Sequence, residues 1–322
     1  MILAGIDIGT NTLRLLIAEV GPGSFREIIS DRRITRLGQK LDQSGMVSSD
    51  AVERSLKALV EFQAQIQRQG ACHVSAIGTS ALRNAANSAA FVDRAKKETG
   101  LVIRVITGEE EARLTLLGVA QSLSEGGPTH SKSLLTSALV IDVGGGSTEI
   151  IITHPHHKPA IASLPLGAVY LTDQFIKHDP PLTEELAKLR RRVVDELDNQ
   201  TGTIQPDPTT LFIGTAGTIT TLAAIDQGLA VYDPRRIHGA MLTIDFVDGI
   251  VLKLGALSLD ARKSMLGLEP GRGDIILAGA IVVQEIMHRF QYTSMLVSDR
   301  GLREGIVLDL YETVREGMPH LC

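Results

Sequence analysis

A chain of 322 residues is long enough to bury full cores in two domains, and 43% hydrophobic with 21% charged residues is the make-up of an ordinary globular protein. A net charge of -5 argues against a general nucleic-acid binder; no apolar run approaches bilayer-spanning length and no basic segment precedes the first strand, so a cytoplasmic location without membrane helix or signal peptide is expected. Two cysteines, Cys72 and Cys322, give neither a disulfide framework nor metal-ligand spacing.

Ile2 to Ile8 reads as an apolar strand ending in Asp7, followed by Gly9, Thr10, Asn11 and Thr12 and then by the apolar Leu13, Leu15, Leu16 and Ile17. Phe25 to Ile34 is a further strand, with Arg32 and Arg33 near its end. Ser48, Ser49 and Asp50 supply cap residues for a helix over Ala51 to Arg68 that closes at Gly70. Strand His73 to Ile77 runs into GTSALRNAAN, Gly78 to Asn87, where Thr79 and Ser80 are placed to cap a helix. Arg83 lies on its first turn. Its small neighbours Ala81, Ala85 and Ala86 let a long cation reach a phosphate, although a solvated surface charge is the plainer reading.

Helix Ser88 to Thr99 closes at Gly100, and strand Leu101 to Ile106 leads to TGEEEARLTLLGVAQSL, Thr107 to Leu123, with Thr107 as N-cap and Glu110 at the capping-box position. Three acids on a first helical turn complement the helix dipole. Three exceed what a cap requires, and Glu111 is a candidate for water activation, with Arg113 expected to keep its surroundings cationic.

The turn-rich Gly126 to Ser137 marks the passage into a second half. There, ALVIDVGGGSTEIII, Ala138 to Ile152, repeats the opening design: an apolar strand, Asp142, the glycines Gly144, Gly145 and Gly146, and a second apolar strand. Three consecutive glycines let successive N–H groups converge on one point, a phosphate cradle. Two strand–Asp–Gly–hydroxyl–strand hairpins in one chain indicate two related halves that offer phosphate loops to a shared cleft.

The histidines of His154 to His157 read as an exposed loop rather than a metal site. Strand Ala160 to Leu164 precedes a helix opened by Gly167, and Thr183 to Asn199 is a charged helix whose Arg190, Arg191 and Arg192 form a solvated face or line a channel for a long anion. Pro206 to Pro208 break the chain before strand Thr210 to Ile213 and GTAGTITTLAA, Gly214 to Ala224, a third glycine and threonine loop at a helix N-terminus, with Gly217 and Thr218 in it. His238 to Ala240 form a loop before helix Phe246 to Leu257. Gly271 to Phe290 combines a glycine loop with a buried helix, and strand Ser294 to Val297 leads through Asp299 and Arg300 into a terminal helix.

DIGTNTLRL (Asp7 to Leu15), GTSALRNAAN, TGEEEARLTLLG (Thr107 to Gly118), IDVGGGSTEI (Ile141 to Ile150), GTAGTITTLA (Gly214 to Ala223) and SDRGLREG (Ser298 to Gly305) resemble, in order, the motif series of the exopolyphosphatase and guanosine pentaphosphate phosphohydrolase family, within the acetate kinase, sugar kinase, Hsp70 and actin superfamily. The resemblance implies an α/β fold of two actin-like (ribonuclease H-like) domains, each with a mixed central sheet flanked by helices, and an active-site cleft between them. Domains are expected over 1–125 with 299–322, and over 126–298. The family often has serine where this chain has Thr10 and Thr12; both keep the hydroxyl. Longer members add an HD-type helical domain, so this chain resembles the short, two-domain form.

Carried onto this sequence, the resemblance makes Glu111 and Arg83 the candidate catalytic residues. Substrate phosphates are expected at Asp7, Gly9, Thr10, Asn11, Thr12, Arg14, Gly144, Gly145, Gly146, Ser147, Thr148, Gly217 and Thr218, and Mg²⁺ at Asp142 and Glu149. Phosphoanhydride hydrolysis fits these parts, since it needs charge neutralisation and a positioned water but almost no covalent work by the protein. The expected activity is release of terminal orthophosphate from inorganic polyphosphate. Conversion of guanosine pentaphosphate to tetraphosphate uses the same groups and stays open; the 3% aromatic content offers little for stacking a guanine. A kinase of the same superfamily would need an adenosine pocket and an acceptor base, and a sensor that binds polyphosphate or an alarmone without turnover is the non-enzymatic alternative. A homodimer is expected from the resemblance alone.

Overall fold

The computed structural model of the chain describes residues 1–124, 137–201, 206 and 210–317; the expected passage over 126–136, Pro208 and Cys322 lie outside them. The chain folds into two compact units, Met1–Val119 with Gly301–Cys322, and Ala120–Arg300.

The first unit contains β1 (Ile2–Ile8), β2 (Thr12–Gly21), β3 (Ser24–Ile34), the one-turn α1 (Leu41–Ser44), α2 (Ser49–Gln69), β4 (His73–Gly78), α3 (Ser80–Asn84), α4 (Ser88–Thr99), β5 (Ile103–Val105) and α5 (Gly108–Ser124), along which the chain leaves the unit. Its five-stranded sheet has the order β3-β2-β1-β4-β5, antiparallel in the β1–β2–β3 meander and parallel from β1 to β4 to β5. Alternation along β1 divides its side chains between two faces. Ala4, Ile6 and Ile8, with Leu13, Leu15 and Ile17 of β2, pack against Leu56, Leu59 and Phe62 of α2 and Phe91 of α4. Leu3, Leu16 and Ala18 face Val307, Leu310 and Tyr311 of the terminal helix, which returns to this unit over Leu302–Arg315. Asp7 shares the second face. Gly5 lies on it too, because a Cβ there would come within 2.8 Å of Val307 Cγ2.

The second unit repeats the design with β6 (Ala138–Val143), β7 (Thr148–Thr153), β8 (Ala160–Leu164), α6 (Ala168–Phe175), α7 (Thr183–Thr201), β9 (Leu211–Thr215), α8 (Ala216–Asp226), the short α9 (Pro234–Ile237), β10 (Met241–Thr243), α10 (Ile244–Ala256), the short α11 (Leu259–Lys263), α12 (Ile276–Arg289) and β11 (Ser294–Val297). The returning terminal helix of the first unit is α13. The six-stranded sheet runs β10-β11-β9-β6-β7-β8, so β8-β7-β6-β9-β11 reproduces the order of the first sheet and β10 adds an antiparallel edge. Leu139, Ile141, Val143, Ile150 and Ile152 pack on one face with residues of α6, α7, α8 and α12. The three-residue β10 follows the loop expected at His238 to Ala240 and is a strand the sequence does not announce, because its brevity carries no readable alternation. Among the described residues, no helix is long and apolar enough to cross a membrane.

Candidate active site

The two glycine hairpins match step for step. In the first, Asp7 pairs with Arg14 and Ile8 with Leu13, and the Gly9 N–H donates to Thr12 O at 3.2 Å. In the second, Asp142 pairs with Glu149 and Val143 with Thr148, and the Gly144 N–H donates to Ser147 O at 3.0 Å.

Each loop is braced through its carbonyls. Thr10 O accepts from the Gly38 N–H at 2.9 Å, and Asn11 O from the Thr35 and Arg36 N–H groups at 3.1 and 2.9 Å. Gly144 O accepts from the Ala168 N–H at 3.0 Å, and Gly145 O from those of Val169 and Tyr170 at 2.8 and 3.2 Å, so the first turn of α6 holds the second loop. Among the described residues, no main-chain carbonyl takes the N–H groups of Thr10, Asn11, Gly145, Gly146 or Ser147. A loop with its carbonyls tied down and successive N–H groups not taken by main-chain carbonyls is what an anion cradle requires.

Charge divides the hairpins. On β2 and β3, Arg14 lies opposite Asp7 and Arg32 lies opposite Arg14, which puts three charged residues in one row on one face. Arg14 Nη1 stands 3.7 Å from Asp7 Oδ2. The corresponding row in the second unit is Asp142, Glu149 and Ser163, with Thr215 of β9 on the far side of Asp142. Both carboxylates are buried, Asp142 at 8% and Glu149 at 1% exposure. Ser163 Oγ donates to Glu149 Oε1 at 2.8 Å. Adjacent buried carboxylates repel unless a cation lies between them, and carboxylate oxygens are the donors Mg²⁺ takes together with substrate phosphates. Among the described residues no cluster of three or more His, Cys, Asp or Glu is placed to hold a metal.

Glu111 sits in the first turn of α5, whose Thr107 caps the Glu110 N–H through Oγ1 at 3.2 Å. Its carboxylate is buried at 8% exposure, and Arg83 of α3 donates from Nη1 to Glu111 Oε2 at 3.1 Å and to Ile106 O at 2.9 Å. The two candidate catalytic residues, 28 positions apart, therefore meet within the first unit. The expected role of Arg113 is overturned. Residues two apart on a helix point to opposite sides, and Arg113 pairs with Asp309 of α13 at 2.8 Å.

Several expected phosphate residues stand differently from the loop tips. Thr148 is fully buried and its hydroxyl donates to Leu166 O at 2.7 Å, holding the end of β8 beside β7. Thr218 is buried against Gly279 of α12, where an added Cβ would come within 2.6 Å of it. Gly217 lies under the guanidinium of Arg272; a Cβ there would be 2.3 Å from Nη2. Arg272 is itself buried and pairs with Glu269 at 2.7 Å. Tyr232 donates to Asp299, and burial together with that carboxylate pushes the Tyr232 phenol well up. Nothing in the sequence marks Arg272, Glu269, Tyr232 or Ser163 for a role: each is a single polar residue in a glycine loop or strand, and only the folded register shows what it touches.

Paired units with one strand order, each opening on a strand–Asp–loop–strand hairpin, define a protein of the actin-like ATPase fold. The sequence matches the model of the Ppx/GppA phosphatase family over residues 16–314, and the chain belongs to that family of phosphoanhydride hydrolases. It is 32% identical to exopolyphosphatase 2 of Mycobacterium tuberculosis over 96% of this chain and 98% of that protein. The crystal structure of the Ppx/GppA family member of Aquifex aeolicus is similar at a TM-score of 0.79 and 34% identity, covering 99% of each chain. That of an exopolyphosphatase from Cytophaga hutchinsonii gives a TM-score of 0.85 at 26% identity, again over 99% of each.

Proposed function

We propose that this chain is an exopolyphosphatase that hydrolyses the terminal phosphoanhydride bond of inorganic polyphosphate. The observation that carries the reading is the Arg83–Glu111 contact: a buried carboxylate held in one orientation by a guanidinium, in a chain that carries two phosphate cradles. Relatives of the same length named exopolyphosphatase favour polyphosphate over guanosine pentaphosphate.

The roles follow from the chemistry of each group. Glu111 accepts the proton of the attacking water, and Arg83 keeps its carboxylate aimed while offering further N–H groups to a phosphate oxygen. The N–H groups of Thr10, Asn11, Gly145, Gly146 and Ser147 bind phosphate oxygens, and Arg14 adds a fixed positive charge. Asp142 and Glu149 would hold Mg²⁺, which when bound supplies neutralisation of phosphate charge. No residue of the chain needs to become covalently attached to substrate.

Orthophosphate release from long-chain polyphosphate and from guanosine pentaphosphate, measured side by side with Mg²⁺ for wild type and Glu111→Gln, tests the reading. We expect polyphosphate to be the better substrate and the variant to lose about 10²–10⁴-fold in kcat while still binding it. A preference for the nucleotide moves the assignment to that substrate, and an undiminished variant removes Glu111 from the mechanism.

A further inference from the structure

The row Asp142–Glu149–Ser163 crosses three adjacent strands, each residue directly opposite the next. Directly opposed side chains on one sheet face have Cβ atoms about 4.5–5.5 Å apart, so Glu149 is flanked by a carboxylate on one side and a hydroxyl on the other. A carboxylate only accepts; the 2.8 Å contact is therefore donated by Ser163 Oγ to Glu149 Oε1. We propose that Ser163 is a positioning residue for the divalent cation, fixing the rotation of the Glu149 carboxylate so that a cation meets it in one orientation. The proposal rests on the reading that Asp142 and Glu149 hold that cation.

Two further contacts keep Ser163 in place. Leu164, the next residue, pairs with Thr148, and the Thr148 hydroxyl donates to Leu166 O at 2.7 Å, which pins the end of the edge strand β8 against slippage. A slip by one residue would turn Ser163 to the other face. Just beyond, Gly167 packs on the loop itself, where a Cβ would lie 2.3 Å from backbone atoms of Gly145 and Gly146. The stretch from Ser163 to Gly167 thus serves both halves of the site: its serine orients a carboxylate, and its glycine braces the cradle.

A merely structural hydroxyl predicts something different. Ser163 is exposed on an edge strand, so its removal leaves no buried cavity, and what the fold loses is the single hydrogen bond to Glu149. Partners that orient a metal ligand, by contrast, typically change metal affinity by about 10–100-fold when removed. Affinity for the cation and stability of the fold should therefore separate.

The experiment titrates Mn²⁺, a paramagnetic surrogate for Mg²⁺, into the full chain without substrate. Free Mn²⁺ is followed by electron paramagnetic resonance for wild type, Ser163→Ala, Ser163→Thr and Glu149→Gln, with thermal melts of each. The Mg²⁺ dependence of orthophosphate release is measured in parallel. We expect Ser163→Ala to weaken Mn²⁺ binding about 10–100-fold and to raise the half-saturating Mg²⁺ concentration by a similar factor, with the cooperative melt retained and only a small drop in melting temperature, and Ser163→Thr to restore the affinity. Ser163→Ala that binds Mn²⁺ like wild type, while Glu149→Gln does not, overturns the role of Ser163 and leaves the carboxylate reading standing. If Glu149→Gln also binds like wild type, the carboxylate reading itself falls. Equal weakening in the alanine and threonine variants overturns the positioning role as well, because the hydroxyl is then not what matters.

Discussion

Across the first hairpin the loop aspartate faces Arg14, with Arg32 beyond it; across the second it faces Glu149, with Ser163 beyond. The order of five strands and the closure of the loop are the same in both, and each loop has two carbonyls braced from outside the hairpin. The side chains in the row differ. On the proposed function, a duplicated scaffold would present N–H groups to phosphate twice while neutralising charge in two ways, by guanidinium groups built into the sheet and by carboxylates suited to a bound cation. Arg14 lies directly opposite Arg32 and Asp142 directly opposite Glu149, like-charge pairs that an anion in one case and a cation in the other would complement.

Neutralising one member of each row breaks or sharpens that division. Glu149→Gln should lower orthophosphate release by about 10²–10³-fold at a fixed, limiting Mg²⁺ concentration, with much of the loss recovered as Mg²⁺ is raised. Arg14→Gln should cost less, about 10–100-fold in kcat/KM, and leave the Mg²⁺ dependence where it was. Steady-state rates over a Mg²⁺ series for both variants decide it. A Mg²⁺ requirement that shifts equally in the two would mean that the rows are not specialised.

A second contrast lies beneath the loops. A Cβ added at Gly38 would come within 2.3 Å of a side-chain methyl of Thr10, which can rotate; one added at Gly167 would come equally close to main-chain atoms of Gly145 and Gly146, which cannot move without moving the cradle. Gly167→Ala should therefore destabilise the second unit by about 3 kcal/mol and Gly38→Ala the first by about 1 kcal/mol. Calorimetry of both variants reads the difference; a Gly38→Ala protein that melts below Gly167→Ala would show that the first loop is the stiffer one.

The hairpins were legible because their signals are local. An apolar run, an aspartate, glycines and a hydroxyl within a dozen residues specify strand, turn and strand, and both proved to be antiparallel pairs with the aspartate at the strand end. Helix caps such as Ser48 and Thr107 were legible for the same reason. What escaped depends on neighbours distant in sequence. The partner of Glu111 is Arg83, on another helix, whereas the nearby Arg113 points away by helical geometry. Thr148 reads as one more hydroxyl after the glycines, yet strand alternation turns it from the row of Glu149 into the sheet interior. Ser163 and Arg272 acquire meaning only from register and from a glycine that leaves room for a guanidinium.

The smallest expected effect concerns acid stability. In the second unit, burial alone would raise the Glu185 carboxyl, but hydrogen bonds from the His178 ring and from the Leu182 and Lys177 N–H groups outweigh it and hold the pKa at about 2, against 4.5 for an ordinary glutamate. In the first unit, burial likewise opposes hydrogen bonds from Gln65 and Arg33 at Asp31, and its carboxyl too is lowered. A carboxyl lowered in the folded state stabilises fully above its unfolded pKa, and that contribution disappears as pH falls toward the folded value. For Glu185 the window runs from about 4.5 down to about 2. Glu185→Gln should thus melt below wild type near neutral pH, by about 1 kcal/mol once solvent screening around the exposed His178 is allowed for, and the gap should close as the pH approaches 2. A gap that persists unchanged to the acid end would assign the loss to altered hydrogen bonding at the start of α7 rather than to charge.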